Sequence, residues 1–395
     1  MYRRAIIRGP GRFLSIQGKN SHDAYRVDRC WPTHIGVLRA YAVNGAPDAR
    51  ITLVAPHPRL YYSGMLPAHV AGHYSWAELA IEAGGLLAQL GATFISTHVT
   101  GFDGTTLTLA DGQRLAGDIV SFDIGTAPGA LAKDHPERVI PVKPVEALLE
   151  GLARFERGLD QADKARRLAV VGGGAGGVEL MLSLAYRYGG RADRPALDLV
   201  ARSGVMGGVP GRVRRALARA LDRAGVNVIT GRGVVDLNDT GLILDDDTHQ
   251  PADCVIAATG ARAPAWLADT PLALDNDGFI ACDWHLRSRS HGHVFAAGDV
   301  IALPEPRPKS GVYAVRQISV LADNLARAAS ARALVEFKAP RTALALISLG
   351  ERRALALRGR LSLPPSHVLW RIKDRIDRRF VARHDRPAGD APETG

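Results

Sequence analysis

The sequence predicts an α/β fold of two Rossmann-like dinucleotide-binding domains followed by a C-terminal appendage. Three observations predict it. A glycine cluster lies between an apolar strand and a helix at 168–180, two strands end in similar Thr/Gly turns at 119–126 and 254–260, and an apolar strand ends in a carboxylate at 294–299. In parallel α/β sheets, such turns at the carboxyl ends of strands form nucleotide sites.

The glycine cluster gives the most specific signal. Gly172, Gly174 and Gly177 have the G-x-G-x-x-G spacing. The three glycines allow a tight turn, the close approach of a pyrophosphate and the packing of helix on strand. An apolar strand at 197–200 completes a strand–helix–strand unit, in which the free N–H groups of the helix would face the phosphates. This pattern predicts a nicotinamide coenzyme site; a glycine-rich turn without a ligand is the alternative.

The choice of coenzyme depends on the end of the second strand of this unit. Ala201 and Arg202 stand there, where an acid would pair with the ribose hydroxyls of NADH. An arginine fits a 2′-phosphate, which favours NADPH, and a solvated surface arginine is the alternative. Gly260 ends the recurring Thr/Gly turn and is predicted to bind a cofactor.

A second nucleotide site is predicted where the strand at 294–297 ends in Gly298 and Asp299. Apolar strands seldom end in Gly-Asp for packing reasons, whereas an aspartate at such an edge can accept hydrogen bonds from ribose or ribitol hydroxyls. Thr126 ends the corresponding earlier strand. We therefore predict that Thr126, Gly298 and Asp299 bind a cofactor together.

Composition sets broad limits on function. The chain has 395 residues, 46% of them hydrophobic, and lacks the roughly twenty uninterrupted apolar residues of a membrane span. No signal peptide is visible, so a cytoplasmic location is expected. Cys30, Cys254 and Cys282 include no close pair, which argues against a redox-active disulfide, and no metal site is predicted. The net charge of +10 would suit anionic cofactors or lipid, and no motif for nucleic acid accompanies it.

Periodicity predicts further elements along the chain. Residues 1–30 show no usable period. The expected helices are 33–41, 76–90, 144–158, 212–224 and one from Gly311, and the expected strands are 50–54, 94–99, 106–109, 119–124, 226–230, 233–237 and 241–244.

With these motifs in hand, the chain resembles the pyridine nucleotide-disulfide oxidoreductase superfamily, although it lacks the disulfide. It is most similar to the type II NADH dehydrogenase branch, and within it to the subgroup associated with selenide, water dikinase. The resemblance covers about 33–382 and rests on 33–39, 62–67 with 71–74, 309–317 and 370–380.

The resemblance implies a discontinuous FAD domain of 33–135 and 255–330, with an NAD(P)H domain of 136–254 inserted and a C-terminal region of 331–395. Asp299 would then hold the ribitol or pyrophosphate region of FAD. The helix from Gly311 would direct its positive end at the flavin pyrimidine.

Two further residues gain roles from the resemblance alone. Gln317 matches a glutamine near the flavin and the acceptor, and Glu179 matches a position on the nicotinamide side. An ordinary polar helix residue is the alternative for Gln317, and a structural ion-pair partner is the alternative for Glu179.

The N-terminus departs from the family pattern. An apolar strand and its own glycine fingerprint should occupy about 22–32, but Trp31 and Pro32 replace the glycines, and Arg26, Asp28 and Arg29 would be charged residues in a buried strand. Our hypothesis is that 1–32 comes from a shifted reading frame or a misplaced start. Translation of the upstream DNA in all frames tests it, because a genuine N-terminus would leave no frame that encodes the fingerprint.

A basic amphipathic helix is predicted near the C-terminus. Its apolar stripe consists of Leu369, Ile372, Ile376 and Phe380, and it is bordered by arginines. Such a helix can lie on an anionic membrane, as a peripheral contact on the inner face. Packing on the same chain or on a second subunit is the alternative, and residues from about Pro387 are expected to be disordered.

The sequence therefore predicts an FAD-dependent NAD(P)H oxidoreductase. Hydride would pass from the nicotinamide to the flavin, and electrons would leave to an acceptor; the resemblance suggests a quinone. Sulfide oxidation is disfavoured because the cysteines are widely spaced. A second hypothesis is a catalytically silent or flavin-poor partner of selenide, water dikinase with a role in selenium metabolism, and the missing FAD glycines favour it.

Overall fold

The computed structural model of the protein describes residues 12–17, 32–159, 166–260 and 262–385. Two five-stranded parallel sheets form its core, and helices cover both of them. The predicted α/β class with two Rossmann-like units is confirmed.

The first sheet is discontinuous in sequence. Its strands, in spatial order, are Val294–Ala296, Ile119–Phe122, Arg12–Gln17, Ala49–Ala55 and Thr93–Ser96, and every neighbouring pair is parallel. Helices Pro32–Asn44 and Gly311–Ala329 pack together beside it. A Cβ on Gly36 would lie 2.4 Å from Ile318 Cδ1, so the glycine permits this close contact.

The strand expected at 22–32 is placed differently in the structure. The central strand of the first sheet is Arg12–Gln17, and Pro32 is already the first residue of a helix. Residues 22–31, including Trp31, lie outside the described ranges. The prediction missed the strand because 12–17 lacks the alternation or apolar run that marks a strand in sequence.

The second sheet contains the predicted glycine unit. Its strands, in spatial order, are Val139–Pro141, Cys254–Ala257, Arg167–Val171, Ala196–Ala201 and Val226–Thr230, all parallel. Helices Val145–Leu159, Ala175–Tyr188 and Gly211–Arg223 accompany it. The predicted strand, glycine turn and helix are therefore confirmed as consecutive elements.

The domain boundary predicted between 254 and 255 needs a correction. Strand Cys254–Ala257 pairs with both Val139–Pro141 and Arg167–Val171, so the boundary would cut a central strand of the second sheet. The similarity of its Thr/Gly ending to that of the first sheet misled the assignment, because both sheets end a strand this way.

Smaller elements decorate the two sheets. The antiparallel sheets consist of Val99–Phe102, Thr106–Leu109 and Arg114–Ala116; of Val234–Asn238, Gly241–Leu244 and His249–Pro251; and of Arg59–Tyr61 with Ala80–Glu82. Strands Ile280–Ala281 and Ile301–Ala302 pair in parallel. The short helices are Ser63–Met65, Leu66–Val70, Ala77–Leu79, Gly84–Gln89, Ala130–Asp134, Ala265–Asp269 and Gly298–Val300.

The single helix expected over 76–90 is wrong. The segment forms a short helix at Ala77–Leu79, strand Ala80–Glu82 and a second short helix at Gly84–Gln89. Pairing with Arg59–Tyr61 captures the middle of the segment as a strand. Tertiary pairing has overridden the helical period, as it often does for short amphipathic segments.

The C-terminal region forms a three-stranded antiparallel sheet and a long helix. The strands are Ala345–Leu349, Glu351–Arg358 and Leu361–Ser366, and the helix is His367–Asp385. The sheet packs on Ala175–Tyr188, where a Cβ on Gly350 would lie 2.0 Å from the Leu182 carbonyl oxygen. The C-terminal region is thus attached directly to the glycine helix.

The predicted C-terminal helix is confirmed, but its apolar stripe is divided. Leu369 is buried, whereas Ile372 and Ile376 are 44% and 50% exposed. Asp377 is buried instead, next to the largely covered Lys373, whose Nζ donates to Asp377 Oδ2 at 2.6 Å. A hydrophobic pattern cannot predict that a charged pair faces inward. The tail from Pro387 lies outside the described ranges.

Candidate functional site

The glycine turn has the geometry that its spacing predicts. Gly172 has φ of +134°, and its N–H donates to the Val200 carbonyl at 2.8 Å. A Cβ on Gly177 would lie 2.0 Å from the Gly172 oxygen, so only glycine allows the helix to approach the strand. Gly174 precedes the helix with open space around it. The helix N-terminus is therefore accessible to an anion.

A cavity of about 840 Å³, the second-sheet pocket, opens at this turn. Gly172, Gly174, Arg202 and Gly260 line it, so the structure brings four predicted site residues together. The pocket lies at the carboxyl ends of the parallel strands, where α/β folds bind nucleotides.

Arginines line one side of the second-sheet pocket. Arg202 Nε lies 3.4 Å from Asp245 Oδ2, and Arg232 forms an ion pair with Asp246. Arg262 lines the pocket too. Of these three arginines the sequence analysis named only Arg202; Arg232 lies in a loop without a motif, whereas Arg262 follows the Thr/Gly turn that ends at Gly260, and that turn was the available signal for it.

A smaller cavity of about 100 Å³, the first-sheet pocket, lies at the other sheet. Thr126, Gly298, Asp299 and Gly311 all line it, so the second predicted group of site residues also converges. Three charged residues that the sequence reasoning missed, Asp123, Lys143 and Lys309, line it as well.

Lys143 and Asp299 form an ion pair in the first-sheet pocket. Lys143 Nζ lies 3.1 Å from Asp299 Oδ2, and the Asp299 side chain is 14% exposed. Lys143 follows strand Val139–Pro141 of the second sheet, whereas Asp299 follows a strand of the first. The backbone also joins the two units, because the Ala127 N–H donates to the Arg262 carbonyl at 2.7 Å. The two units that carry the pockets are therefore in direct contact, although the pockets share no lining residue.

Gln317 does not line either pocket but supports the turn that carries Asp299. Its Oε1 accepts a hydrogen bond from the Gly298 N–H at 2.7 Å, and the side chain is 3% exposed. Gly298 has φ of +72°, and a Cβ there would lie 2.3 Å from Asp123 Oδ1. The glutamine thus fixes a turn that tolerates no larger residue.

Asp123 is a buried carboxyl at the start of helix Pro32–Asn44. Its Oδ2 accepts hydrogen bonds from the N–H groups of Thr33 and His34, both at 3.1 Å. Burial raises the pKa of Asp123 to about 7, and the nearby charge of Asp299 contributes, although the two backbone hydrogen bonds act in the opposite direction. In the sequence, an acid directly after the mainly apolar segment Ile119–Phe122 was the signal that could have identified Asp123 as a site residue.

His34, beside Asp123, is held neutral. Its Nε2 lies 2.9 Å from Ser121 Oγ, and burial lowers its pKa to about 3. The imidazole is therefore uncharged at physiological pH.

Glu179 lies away from the lining of both pockets. Its Oε1 accepts a hydrogen bond from the Ser348 N–H at 2.7 Å, which links the glycine helix to the C-terminal sheet. Burial raises the pKa of Glu179, and the charge of Lys373 opposes that shift. These contacts support the structural alternative for this acid.

The cysteines in the described ranges are isolated thiols. Cys254 and Cys282 are both free and buried, and burial raises the pKa of Cys254 to about 12. Cys30 lies outside the described ranges. Thiols with raised pKa values are poor nucleophiles, so these two are structural.

The residues that line the two pockets suit the groups that the sequence predicts, although the first-sheet pocket, at about 100 Å³, encloses only part of the volume of FAD. The glycine turn leaves open space at a helix N-terminus for a pyrophosphate. At the first-sheet pocket, Gly298 has no side chain to block the site, and the carboxylate of the next residue, Asp299, lies at the end of the strand. Together they define the class of the two-dinucleotide flavin oxidoreductases.

Comparison with known proteins gives the family. Residues 36–317 match the model of the pyridine nucleotide-disulphide oxidoreductase family. The chain belongs to this family, whose members are NAD(P)H-dependent flavin oxidoreductases that bind FAD and NAD(P)H.

The similar curated proteins include a dehydrogenase-like protein and a quinone reductase. Ferroptosis suppressor protein 1 of Taeniopygia guttata is 24% identical over 50% of this chain and 54% of its own. An NADH dehydrogenase-like protein of Mycobacterium tuberculosis is 28% identical over 56% and 58%, and demethylphylloquinone reductase of Synechocystis is 26% identical over 65% of each chain. The match spans about half the length of the first of these relatives.

Solved structures share the fold. The sulfide:quinone oxidoreductase of Aquifex aeolicus superposes with a TM-score of 0.75 at 17% identity, covering 95% of this chain and 92% of its own. An engineered water-forming NADPH oxidase bound to NADPH superposes with a TM-score of 0.69 at 18% identity, covering 87% of this chain and 74% of its own.

Proposed function

We propose that the protein is an FAD-dependent NAD(P)H oxidoreductase that takes hydride from a nicotinamide coenzyme and passes electrons to a quinone. The observation that carries the proposal is the ion pair between Lys143 and Asp299, because it holds the second-sheet unit against the first-sheet pocket. Two nucleotide sites that meet in this way allow two cofactor rings to be brought together.

The second-sheet unit would bind the nicotinamide coenzyme. The turn at Gly172, Gly174 and Gly177 would receive the pyrophosphate, with the helix N-terminus directed at it. Arg202 would face the adenosine ribose and favours a 2′-phosphate. With the corrected boundary, this domain extends over 136–257.

The first-sheet unit, 33–135 with 258–330, would bind FAD. Asp299 would accept hydrogen bonds from ribitol hydroxyls, and Thr126, Gly298 and Gly311 would lie close to the cofactor. When bound, FAD would accept a hydride and then pass the electrons to the acceptor. The N-terminus of helix Gly311–Ala329 would stabilise negative charge on the reduced ring.

Gln317 and Glu179 are proposed as positioning residues for this chemistry. Gln317 would act through Gly298, whose N–H it holds. Glu179 would act from the glycine helix on the nicotinamide side, and its bond to Ser348 would fix its carboxylate.

A quinone acceptor is supported by the names of the relatives. One is a demethylphylloquinone reductase, and one structural neighbour is a sulfide:quinone oxidoreductase. Burial of Cys254 and Cys282 as isolated thiols favours the nicotinamide coenzyme over sulfide as electron donor.

A visible absorption spectrum of the purified protein tests the proposal. We expect an oxidised flavin spectrum that bleaches on anaerobic addition of NADPH or NADH and recovers when ubiquinone-1 is added. A bound flavin that neither coenzyme bleaches would overturn the oxidoreductase. A bleached flavin that quinone fails to reoxidise would overturn only the acceptor.

A partner module for selenide, water dikinase is the second candidate. The absence of a glycine fingerprint before Thr33 in the sequence favours it. A colourless protein that stays colourless with added FAD, yet co-elutes with the dikinase, would support this function over the enzyme.

We also propose a peripheral membrane contact for helix His367–Asp385. Val368, Ile372 and Ile376 are exposed along one side, and Arg371 and Arg375 are exposed beside them. Such a face fits an anionic lipid surface. No helix in the described part of the chain is long and apolar enough to cross a bilayer. Flotation with anionic vesicles tests the contact, and Ile376→Glu should abolish it.

A further inference from the structure

An acid that no motif predicts lies beside the second-sheet pocket, in contact with the lining residues Arg202 and Gly233. Asp245 lies in the loop after strand Gly241–Leu244, and its Oδ2 is 3.4 Å from Arg202 Nε. Arg202 is the residue expected to face the 2′-position of the adenosine ribose. The side chain that would select NADPH therefore already has a partner of opposite charge.

The position of Asp245 is fixed by the backbone opposite. Its Oδ2 accepts a hydrogen bond from the Gly233 N–H at 2.9 Å, and its own N–H donates to the Gly233 carbonyl at 2.8 Å. The carboxylate cannot leave Arg202 without giving up a hydrogen bond. Its side chain is 33% exposed, so solvent screens it only in part.

Gly233 makes room for this arrangement. A Cβ at that position would lie 2.0 Å from Arg202 Nε and 2.2 Å from its Nη2. The guanidinium thus lies over the glycine backbone and next to the acid. The three residues Asp245, Gly233 and Arg202 form one unit at the rim of the pocket.

We propose that Asp245 sets the coenzyme preference by opposing the 2′-phosphate at Arg202. This inference rests on the proposed function and refines it. A phosphate brought to Arg202 must share the guanidinium with a carboxylate of like charge, whereas a ribose hydroxyl can donate a hydrogen bond to that carboxylate. The protein accordingly accepts NADH alongside NADPH, although an arginine occupies the position typical of NADPH-selective enzymes.

Binding of two small nucleotides tests the inference without catalysis. Adenosine 2′,5′-bisphosphate and AMP are titrated into the full chain by calorimetry, before and after Asp245→Asn. The variant should bind the bisphosphate about fivefold more tightly, while AMP affinity stays the same or weakens, because the pair is partly solvent-exposed. In coenzyme assays, the ratio of kcat/KM for NADPH to that for NADH should rise by the same factor.

Asp247→Asn is the matched control. It removes one negative charge from the same loop, its φ of +63° suits asparagine, and its side chain forms no ion pair among the described residues. In this control, the ratio of kcat/KM for NADPH to that for NADH should change less than about twofold. In the Arg202→Gln background, Asp245→Asn should no longer favour the bisphosphate, because its effect acts through that arginine.

An unchanged or lower preference for the bisphosphate in Asp245→Asn would overturn the inference, as would failure of both proteins to bind either nucleotide. If the nucleotides bind as expected but neither coenzyme reduces a flavin, the proposed function fails and the assignment of Asp245 stands.

Discussion

Lys143 Nζ lies 3.1 Å from Asp299 Oδ2, and this pair joins segments that are 156 residues apart. Lys143 contributes a positive charge to a pocket that also holds Asp123 and Asp299. An FAD molecule would bring two more negative charges there. Together with Lys309, which lines the same pocket, Lys143 therefore makes the pocket electrostatically suited to an anionic cofactor.

Lys143→Met should weaken FAD binding. Loss of the ammonium leaves the Asp299 carboxylate without its counter-charge beside the FAD phosphates, and we expect the Kd to rise by roughly fivefold to tenfold. Quenching of flavin fluorescence on titration into apoprotein measures it. Lys133→Met, on the exposed face of helix Ala130–Asp134, makes the same charge change and should leave the Kd unchanged. Equal effects of the two variants would mean that net charge alone matters.

Gly298→Ala should destabilise the fold. A Cβ at φ of +72° is strained, and it would lie 2.3 Å from the buried Asp123 Oδ1. We expect the free energy of unfolding to fall by about 2 kcal/mol, measured by urea denaturation of the apoprotein. Gly292→Ala, where a Cβ meets nothing within 4 Å, is the control and should cost much less. Similar losses in both variants would contradict the tight turn.

Asp123 should make stability depend on pH. Burial raises its pKa to about 7, so between about pH 4 and 7 the native state binds more protons than the unfolded chain. Its contribution is complete below pH 4 and is lost as pH rises through 7. The free energy of unfolding of Asp123→Asn, measured relative to that of the wild type, should therefore rise by about 2 kcal/mol between pH 5 and pH 8.

The wild-type comparison isolates Asp123 from its neighbour. The lowered pKa of His34 acts in the opposite direction, since stability from that group is lost as pH falls below 6.5. The effect of His34 is present in both proteins and cancels in the difference. Parallel pH profiles for the two proteins would show that Asp123 ionises normally.

Variants of Glu179 separate its structural role from its proposed functional one. Glu179→Ala leaves the Ser348 N–H without its acceptor and should lower the free energy of unfolding by about 1–2 kcal/mol. Glu179→Gln keeps an oxygen acceptor and should preserve stability. If the carboxylate also acts on the nicotinamide side, stopped-flow flavin reduction should slow in both variants. An unchanged rate in Glu179→Gln would leave only the structural role.

Local motifs made much of the site predictable. The turn at 172–177 and the strand end at Gly298 and Asp299 each consist of adjacent residues, whose backbone geometry follows from glycine and strand sterics. Both converge on pockets as expected. The order of elements in the second unit was predictable for the same reason.

Long-range pairings explain what the sequence could not predict. Lys143 gains its role from Asp299, and Glu179 gains its main contact from Ser348, 169 residues later. The local sequence around Lys143 and Glu179 does not predict which distant residue each of them contacts. Strand Arg12–Gln17 was missed because its position between Ile119–Phe122 and Ala49–Ala55 defines it, rather than its own alternation.

The discontinuity of the first sheet determines the order in which the molecule can be completed on the ribosome. All five strands of the second sheet lie within 139–257 and emerge before Val294–Ala296 and helix Gly311–Ala329 are synthesised. Until then, strand Ile119–Phe122 has an open edge, and helix Pro32–Asn44 lacks its packing partner. During this interval the second sheet can already be complete while the edge of strand Ile119–Phe122 is still unpaired. The nascent chain is therefore most prone to aggregate through that edge at this stage of synthesis.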